Sequence, residues 1–144
     1  MPSDEHDDQM TRRGELRIYL GMAPGAGKTF AMLGEAHRRL DRGTDVVIGL
    51  VETHGRAKIV ELLDGLEVVP RRAVANGLDE MDLDAVLARK PEVVLVDELA
   101  HTNAPGSRHP KRWQDVEELL DAGIDVISTV NVTTLNLAVA DAQR

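Results

Sequence analysis

The sequence predicts an α/β fold built on a parallel sheet of about five strands, with helices on both faces. Short runs rich in β-branched residues alternate with stretches of helical periodicity, which is typical of βαβ units. Of the 144 residues, 42% are hydrophobic and 29% are charged, so one globular domain with its own core is expected. Because only 2% are aromatic, that core must be aliphatic.

The order of elements follows from these runs and from the residues that end them. The expected strands are 16–21, 45–52, 67–69, 93–98 and 125–130. The expected helices are 29–42, 57–64, 79–90 and 110–122. Gly43, Gly65 and Gly123 end three of the helices, and Pro91 ends the other. Pro110 suits the first position of the last helix, where no N–H is needed.

Both ends of the chain differ in composition from the body. Residues 1–13 include four acidic residues and no apolar periodicity, which indicates a disordered acidic tail. One domain is expected over 14–132. The extension 133–144 is apolar and alanine-rich but precedes no further strand, which leaves open a terminal helix or a sheet truncated on that side.

A glycine-rich loop between the first strand and the first helix is the strongest chemical signal. Its candidate nucleotide-binding residues are Pro24, Gly25, Ala26, Gly27, Lys28 and Thr29. The glycines let several backbone N–H groups point at one phosphate, and the positive end of the helix dipole adds to them. In such a P-loop, Lys28 reaches the β- and γ-phosphates and the Thr29 hydroxyl is offered to Mg²⁺.

The loop departs from the usual pattern at one position. A glycine is expected five residues before Gly27, but that position is Met22, and the nearest glycine is Gly21. Two other interpretations stay open: a glycine-rich turn with a solvated Lys28, and a dinucleotide-binding loop. The second would need a small residue where Phe30 stands.

An acidic pair ends the fourth expected strand, where four aliphatic residues are followed by Asp97 and Glu98. A carboxylate at this strand end of a P-loop NTPase-like fold holds the Mg²⁺ that bridges the phosphates, so Asp97 joins Thr29 as a candidate metal ligand. Glu98 is the candidate catalytic base for an attacking water or hydroxyl. Carboxylates that merely cap the next loop are the alternative.

Polar loops follow two further strand ends. His54 and Arg56 lie in one loop and are candidates for contact with a γ-phosphate, while Thr129 and Asn131 end the last strand. The loop 101–112 is basic and contributes Arg108 as a candidate catalytic residue for developing phosphate charge. Solvated loops or contacts with a partner protein are the alternatives.

Composition excludes several classes of function. The formal net charge is −8, which disfavours binding to nucleic acid. The chain has no cysteine, so disulfide scaffolds, thiol catalysis and cysteine-ligated metals are excluded. No apolar run approaches the roughly 18 residues of a membrane helix, so a cytoplasmic protein without a membrane span is expected.

Five segments together carry a family resemblance. They are 17–21, 23–29, 51–56, 95–103 and 105–120, the last reading PGSRHPKRWQDVEELL. Over 14–132 the chain resembles the amino-terminal domain of the KdpD family of potassium-responsive sensor histidine kinases. The resemblance implies a cytoplasmic domain that binds ATP through Walker motifs and regulates a distal transmitter in a two-component system for potassium uptake.

Three functions are compatible with these observations. The first is a regulatory module, in which ATP and Mg²⁺ control contact with a kinase transmitter or another protein partner. The second is an enzyme in its own right, a P-loop ATPase or a phosphotransferase for protein serine or threonine. The third is a truncated remnant with weakened nucleotide binding. The family's transmitter domains have no counterpart in these residues, so histidine autophosphorylation is not expected.

Overall fold

The computed structural model describes residues 12–21 and 26–131. The strands are β1 (Leu16–Gly21), β2 (Val46–Leu50), β3 (Glu67–Val68), β4 (Arg72–Ala73), β5 (Asp79–Glu80), β6 (Val93–Val96) and β7 (Asp125–Asn131). Five of them form one parallel sheet in the order β1-β7-β6-β2-β3. The prediction of an α/β fold with a five-stranded parallel sheet is thereby confirmed.

Four α-helices connect these strands. They are α1 (Ala26–Asp41), α2 (Ala57–Leu62), α3 (Leu83–Arg89) and α4 (Arg112–Asp121). All four were expected, but α1 begins three residues earlier than position 29. Among the helices of the described residues, none combines the length and apolarity needed to cross a membrane.

The core lies on both faces of the sheet, because the strand side chains alternate between them. On β2, Val47 packs toward α3 and α4, whereas Val46 and Ile48 pack toward α1 and α2. The central strands β2 and β6 are buried along their whole length, as expected for a sheet covered on both sides. The expected helices on both faces are therefore present.

The expected helix over 79–90 is wrong at its beginning. Asp79 and Glu80 form β5, which pairs with β4 in an antiparallel ladder. The helix begins only at Leu83, because the side chain of Asp82 accepts a hydrogen bond from the Ala85 N–H at 3.0 Å and so caps it.

The two predicted terminal segments lie largely outside the described residues. Of the acidic tail 1–13, the structure describes Arg12 and Arg13, and the Arg13 guanidinium pairs with Glu117 and Asp121 of α4. The extension 133–144 lies wholly outside them.

The strand order brings the carboxyl ends of β1, β7, β6 and β2 to one edge of the sheet. Beyond β6 the backbone remains tied to both neighbouring strands. The Asp97 N–H donates to Leu50 O at 2.8 Å, and the Leu99 N–H donates to Thr129 O at 2.9 Å. The acidic pair that follows β6 is consequently held at this edge, where parallel α/β sheets bind ligands.

Candidate functional site

A polar cavity of about 370 Å³ opens at the carboxyl ends of the strands. It is bounded by the first turn of α1, the loops that follow β2 and β6, and the end of β7. Its lining residues are Lys28, Thr29, His54, Asp97, Glu98, Ala100, His101, Thr129, Val130 and Asn131. Segments that are distant in sequence thus contribute carboxylates, hydroxyls and a lysine to one space.

Asp97 is the centre of the hydrogen bonds in this cavity. Its carboxylate accepts from the Thr29 hydroxyl at 3.1 Å, from the Glu52 N–H at 3.1 Å and from the Thr129 hydroxyl. Asp97 is only 2% exposed and Thr29 only 7%. Because three donors satisfy the buried carboxylate, its position relative to α1, β2 and β7 is fixed.

Lys28 lies against the end of β1 as well as against the cavity. A Cβ atom built on Gly21 would stand 2.7 Å from Lys28 Cδ and 3.0 Å from Lys28 Nζ. Only glycine at position 21 leaves room for this course of the lysine side chain. The glycine that precedes Met22 therefore has a steric role of its own.

Two residues at the mouth of the cavity adopt left-handed backbone conformations that glycine normally occupies. They are His54, with φ 50°, and Glu98, with φ 56°. Their side chains approach each other, with His54 Nε2 3.7 Å from Glu98 Oε1. Such conformations cost free energy, so the surrounding structure must hold both residues in place.

A buried ion pair supports the acidic strand end from behind. Arg112, at the start of α4, is 2% exposed, and its Nη2 lies 3.0 Å from Glu80 Oε1. The Arg112 Nη1 donates to Asp97 O at 2.9 Å and to Glu98 O at 3.4 Å. The guanidinium thus holds the backbone of both acidic residues without entering the cavity.

Glu80 has two further partners in the loop that follows β6. Its Oε2 lies 3.0 Å from His101 Nε2 and accepts from the Ala104 N–H at 2.9 Å. Burial raises the pKa of Glu80, but the hydrogen bonds from its partners outweigh that effect and lower the pKa below its ordinary value. By contrast, burial raises the pKa of the nearby Asp115.

The sequence alone did not single out Glu80 or Arg112 for this role. The sequence pattern places Glu80 in a helix and Arg112 in a basic loop. No local spacing connects them, because they are 32 positions apart and meet only through the packing of β5 against α4.

The structure brings together part of the predicted site. Gly27, Lys28 and Thr29 form the first turn of α1 close to Asp97 and Glu98, and Ala26 begins that helix. The predicted residues Pro24 and Gly25 lie outside the described residues.

The two predicted arginines do not line the cavity. The Arg108 guanidinium pairs instead with Asp84 and Glu118, on the face of the sheet that carries α3 and α4. A hydrogen bond from His109, together with Arg108, lowers the pKa of Glu118. Arg56 lies at the start of α2 and lines a different hollow, together with Gly27 and Phe30.

The fold and the cavity define a class, an α/β protein with a polar cavity at the carboxyl ends of a parallel sheet, where such proteins bind ligands. Comparison with known families then identifies the lineage. The chain belongs to the KdpD family, described as the osmosensitive K⁺ channel His kinase sensor domain, whose model matches residues 12–142.

Curated relatives from several bacteria resemble the chain closely. It is 67% identical over 128 residues to "Sensor protein KdpD" of Mycobacterium tuberculosis H37Rv, which covers 87% of the chain. The relatives of that name from Escherichia coli K12 and Clostridium acetobutylicum are 58% and 49% identical over 85% and 89% of the chain. The chain spans only 15%, 14% and 15% of the lengths of these three proteins.

Proposed function

We propose that this chain is a nucleotide-binding regulatory domain that holds ATP with Mg²⁺ at the carboxyl ends of its sheet. The observation that carries the proposal is the contact between Thr29 and Asp97. The hydroxyl of the glycine-rich loop and the carboxylate of the acidic strand end are 68 positions apart, yet they meet at 3.1 Å beside Lys28. Each motif alone could be purely structural, a glycine-rich turn or a capped strand end, but the two are parts of one cavity.

The arrangement of the sheet supports a P-loop NTPase-like site. The strand that leads into the loop, β1, and the strand that ends at Asp97, β6, are separated by β7. This additional strand, together with a glutamate directly after the aspartate, is typical of one division of P-loop ATPases. Thr129 of β7 binds Asp97 and accepts a hydrogen bond from the Glu98 N–H at 2.9 Å, so the intervening strand orients both acids.

The residues of the cavity suit the parts of a nucleoside triphosphate. The loop 24–29 would surround the phosphates with backbone N–H groups, at the amino terminus of a 16-residue helix. Lys28 would contribute a positive charge to the β- and γ-phosphates. Thr29 and Asp97 are the oxygen ligands that would hold Mg²⁺, whose chemistry is to neutralise phosphate charge.

The family supplies the biological setting of the proposal. The relatives are named sensor proteins, and the family is described as an osmosensitive K⁺ channel His kinase sensor domain. We therefore assign the domain to two-component signalling of potassium, on the cytoplasmic side of the membrane. Its partner would be a kinase transmitter, whose activity nucleotide occupancy would control.

Calorimetric titration with ATP in the presence of Mg²⁺ tests the proposal. Lys28→Ala should weaken binding by about tenfold or more, because a charge-assisted hydrogen bond contributes roughly 1.5–3 kcal/mol. Arg42→Ala is the matched control, since it removes one exposed cation directly after the carboxyl end of the same helix. Equal affinities for the wild type and Lys28→Ala would refute the proposal, as would a wild type that does not bind.

Glu98 favours a second candidate function, slow hydrolysis of ATP or phosphoryl transfer to a protein hydroxyl. Its backbone is held in a left-handed conformation at the cavity mouth, and its side chain is 46% exposed. In that reaction the attacking oxygen bonds to the γ-phosphorus and gives its proton to the Glu98 carboxylate. The bond to the bridging oxygen breaks, and ADP leaves with that electron pair.

Turnover measurements separate this enzyme from a binding-only module. Glu98→Gln should leave ATP affinity within about twofold and reduce phosphate release or transfer by roughly 10²–10⁴-fold. Glu61→Gln, an exposed glutamate on α2, controls for the lost charge. Unchanged turnover in Glu98→Gln would make Glu98 structural and leave the regulatory module as the function.

A further inference from the structure

A second hollow, of about 460 Å³, adjoins the α1 amino terminus and shares no lining residue with the polar cavity. It is formed by the first turns of α1 and α2, and its lining residues are Gly27, Phe30, Arg56, Ala57, Lys58 and Ile59. The hollow is an open depression of the surface rather than an enclosed pocket. The lining combines one aromatic ring, two cations and no acid.

Phe30 is the unusual residue of this hollow. It is one of three aromatic residues in the chain, yet it is 49% exposed at the beginning of an otherwise well-packed helix. Arg56 and Lys58 stand beside it, and neither side chain forms a hydrogen bond or ion pair with any residue that the structure describes. An exposed ring flanked by unengaged cations is suited to a flat, electron-rich ligand.

The position of Phe30 connects this hollow to the phosphate site. Phe30 directly follows Thr29, and successive residues of an α-helix point about 100° apart. The Thr29 side chain is turned to Asp97, so Phe30 faces away from the polar cavity, toward α2. Gly27, in the same helical turn, also lines the hollow. A Cβ atom built on Gly27 would meet nothing within 4 Å, so the backbone of this turn is open to a ligand.

We infer that this hollow receives the base of the nucleotide, stacked on Phe30, while its triphosphate lies in the polar cavity beside Lys28 and Thr29. The inference rests on the proposed function and adds the residues that distinguish a nucleotide from a bare polyphosphate. Stacking suits any base because each has a π-face, whereas Arg56 and Lys58 supply only hydrogen-bond donors, directed at acceptor atoms on the base or sugar.

The test compares ATP with inorganic tripolyphosphate, both with Mg²⁺, in calorimetric titrations of the full 144-residue chain. The wild type should bind ATP about tenfold or more tightly than tripolyphosphate, the additional affinity coming from the stacked base. Phe30→Ala should abolish that preference and leave tripolyphosphate affinity unchanged. Trp113→Leu is the control, since Trp113 is 47% exposed on α4, away from this hollow.

Each outcome has a distinct meaning. If Phe30→Ala loses affinity for ATP and not for tripolyphosphate, the base site is supported. A smaller loss of ATP affinity in Phe30→Leu also supports it and shows that apolar contact supplies part of the additional affinity. If ATP binding depends on Lys28 but is unchanged in Phe30→Ala, the base site is overturned and the proposed function stands. The same conclusion follows if Phe30→Ala weakens the binding of ATP and of tripolyphosphate equally. If the wild type binds neither ligand, the proposed function fails and the base site with it.

Discussion

At the scale of single residues, the position of Lys28 depends on the glycine at position 21, which has no side chain. Gly21 does not match the usual position of the first P-loop glycine, and the sequence therefore offered no reason for it. The structure gives a steric one, because the Lys28 side chain occupies the space where a Cβ atom at position 21 would stand. This glycine secures the course of the lysine.

Gly21→Ala should therefore act on ligand binding through Lys28. The lysine is flexible enough to move aside, so we expect the fold to survive and ATP affinity to fall by roughly tenfold, as when a charge-assisted contact is lost. Calorimetry gives the affinity and thermal unfolding gives the fold.

Gly34→Ala provides the comparison within α1. Its added Cβ would lie 3.4 Å from Arg38 Nη1, an ordinary contact, and alanine is the better helix former. We expect unchanged affinity and equal or higher stability for this variant. If Gly21→Ala also bound ATP with the affinity of the wild type, the steric role of Gly21 would be ruled out.

At the scale of elements, β5 and α4 jointly hold the strand end that carries Asp97 and Glu98. The buried pair between Glu80 and Arg112 joins the small antiparallel ladder to the helix, and Arg112 binds the carbonyl groups of both acids. Removing one partner of a buried ion pair leaves the other uncompensated, which is costlier than the loss of an exposed pair.

Arg112→Met should accordingly lower the free energy of unfolding by about 3–5 kcal/mol, measured by urea denaturation at neutral pH. Glu80→Gln in the same background should restore part of that loss, because it removes the uncompensated charge.

The matched control is Arg38→Met, which breaks an ion pair with Glu35 on the surface of α1. The Arg38 side chain is 60% exposed, so the expected cost is at most about 1 kcal/mol. Equal losses for Arg112→Met and Arg38→Met would show that the buried pair does not support the strand end.

At the scale of the whole molecule, periodicity in the sequence predicted the sheet and its four helices well. Short aliphatic runs such as 93–96 indicate strands, and the structure buries all four of these residues, alternately on the two faces of the sheet. The two-residue strands β4 and β5 were missed because each is too short to show a period. The capping role of Asp82, which decides where α3 begins, was missed as well.

Residues of the candidate site were predictable from the sequence only where they belong to a local motif of recognisable residue types. The loop residues Lys28 and Thr29 and the strand-end acids were recognisable from residue type and spacing, and the structure places them together. The charge of Arg108 makes it a candidate in the sequence, but charge alone does not reveal that its guanidinium pairs with Asp84 and Glu118 instead of lining the cavity. Likewise, the sequence does not show that the half-exposed ring of Phe30 lies beside Arg56 and Lys58 of the α2 region.

The central claim is that Thr29 and Asp97 hold a divalent cation together with a nucleotide. ATP titrations of the wild type and Thr29→Val, each with Mg²⁺ and with EDTA, test it most directly. Valine keeps the shape of threonine without its hydroxyl, and Asp97 retains its bonds from Glu52 and Thr129. We predict that Mg²⁺ strengthens ATP binding by the wild type, and that Thr29→Val binds ATP equally weakly in both conditions. A wild-type affinity that is the same with Mg²⁺ and with EDTA, or a Thr29→Val variant that keeps the full gain, would contradict the account.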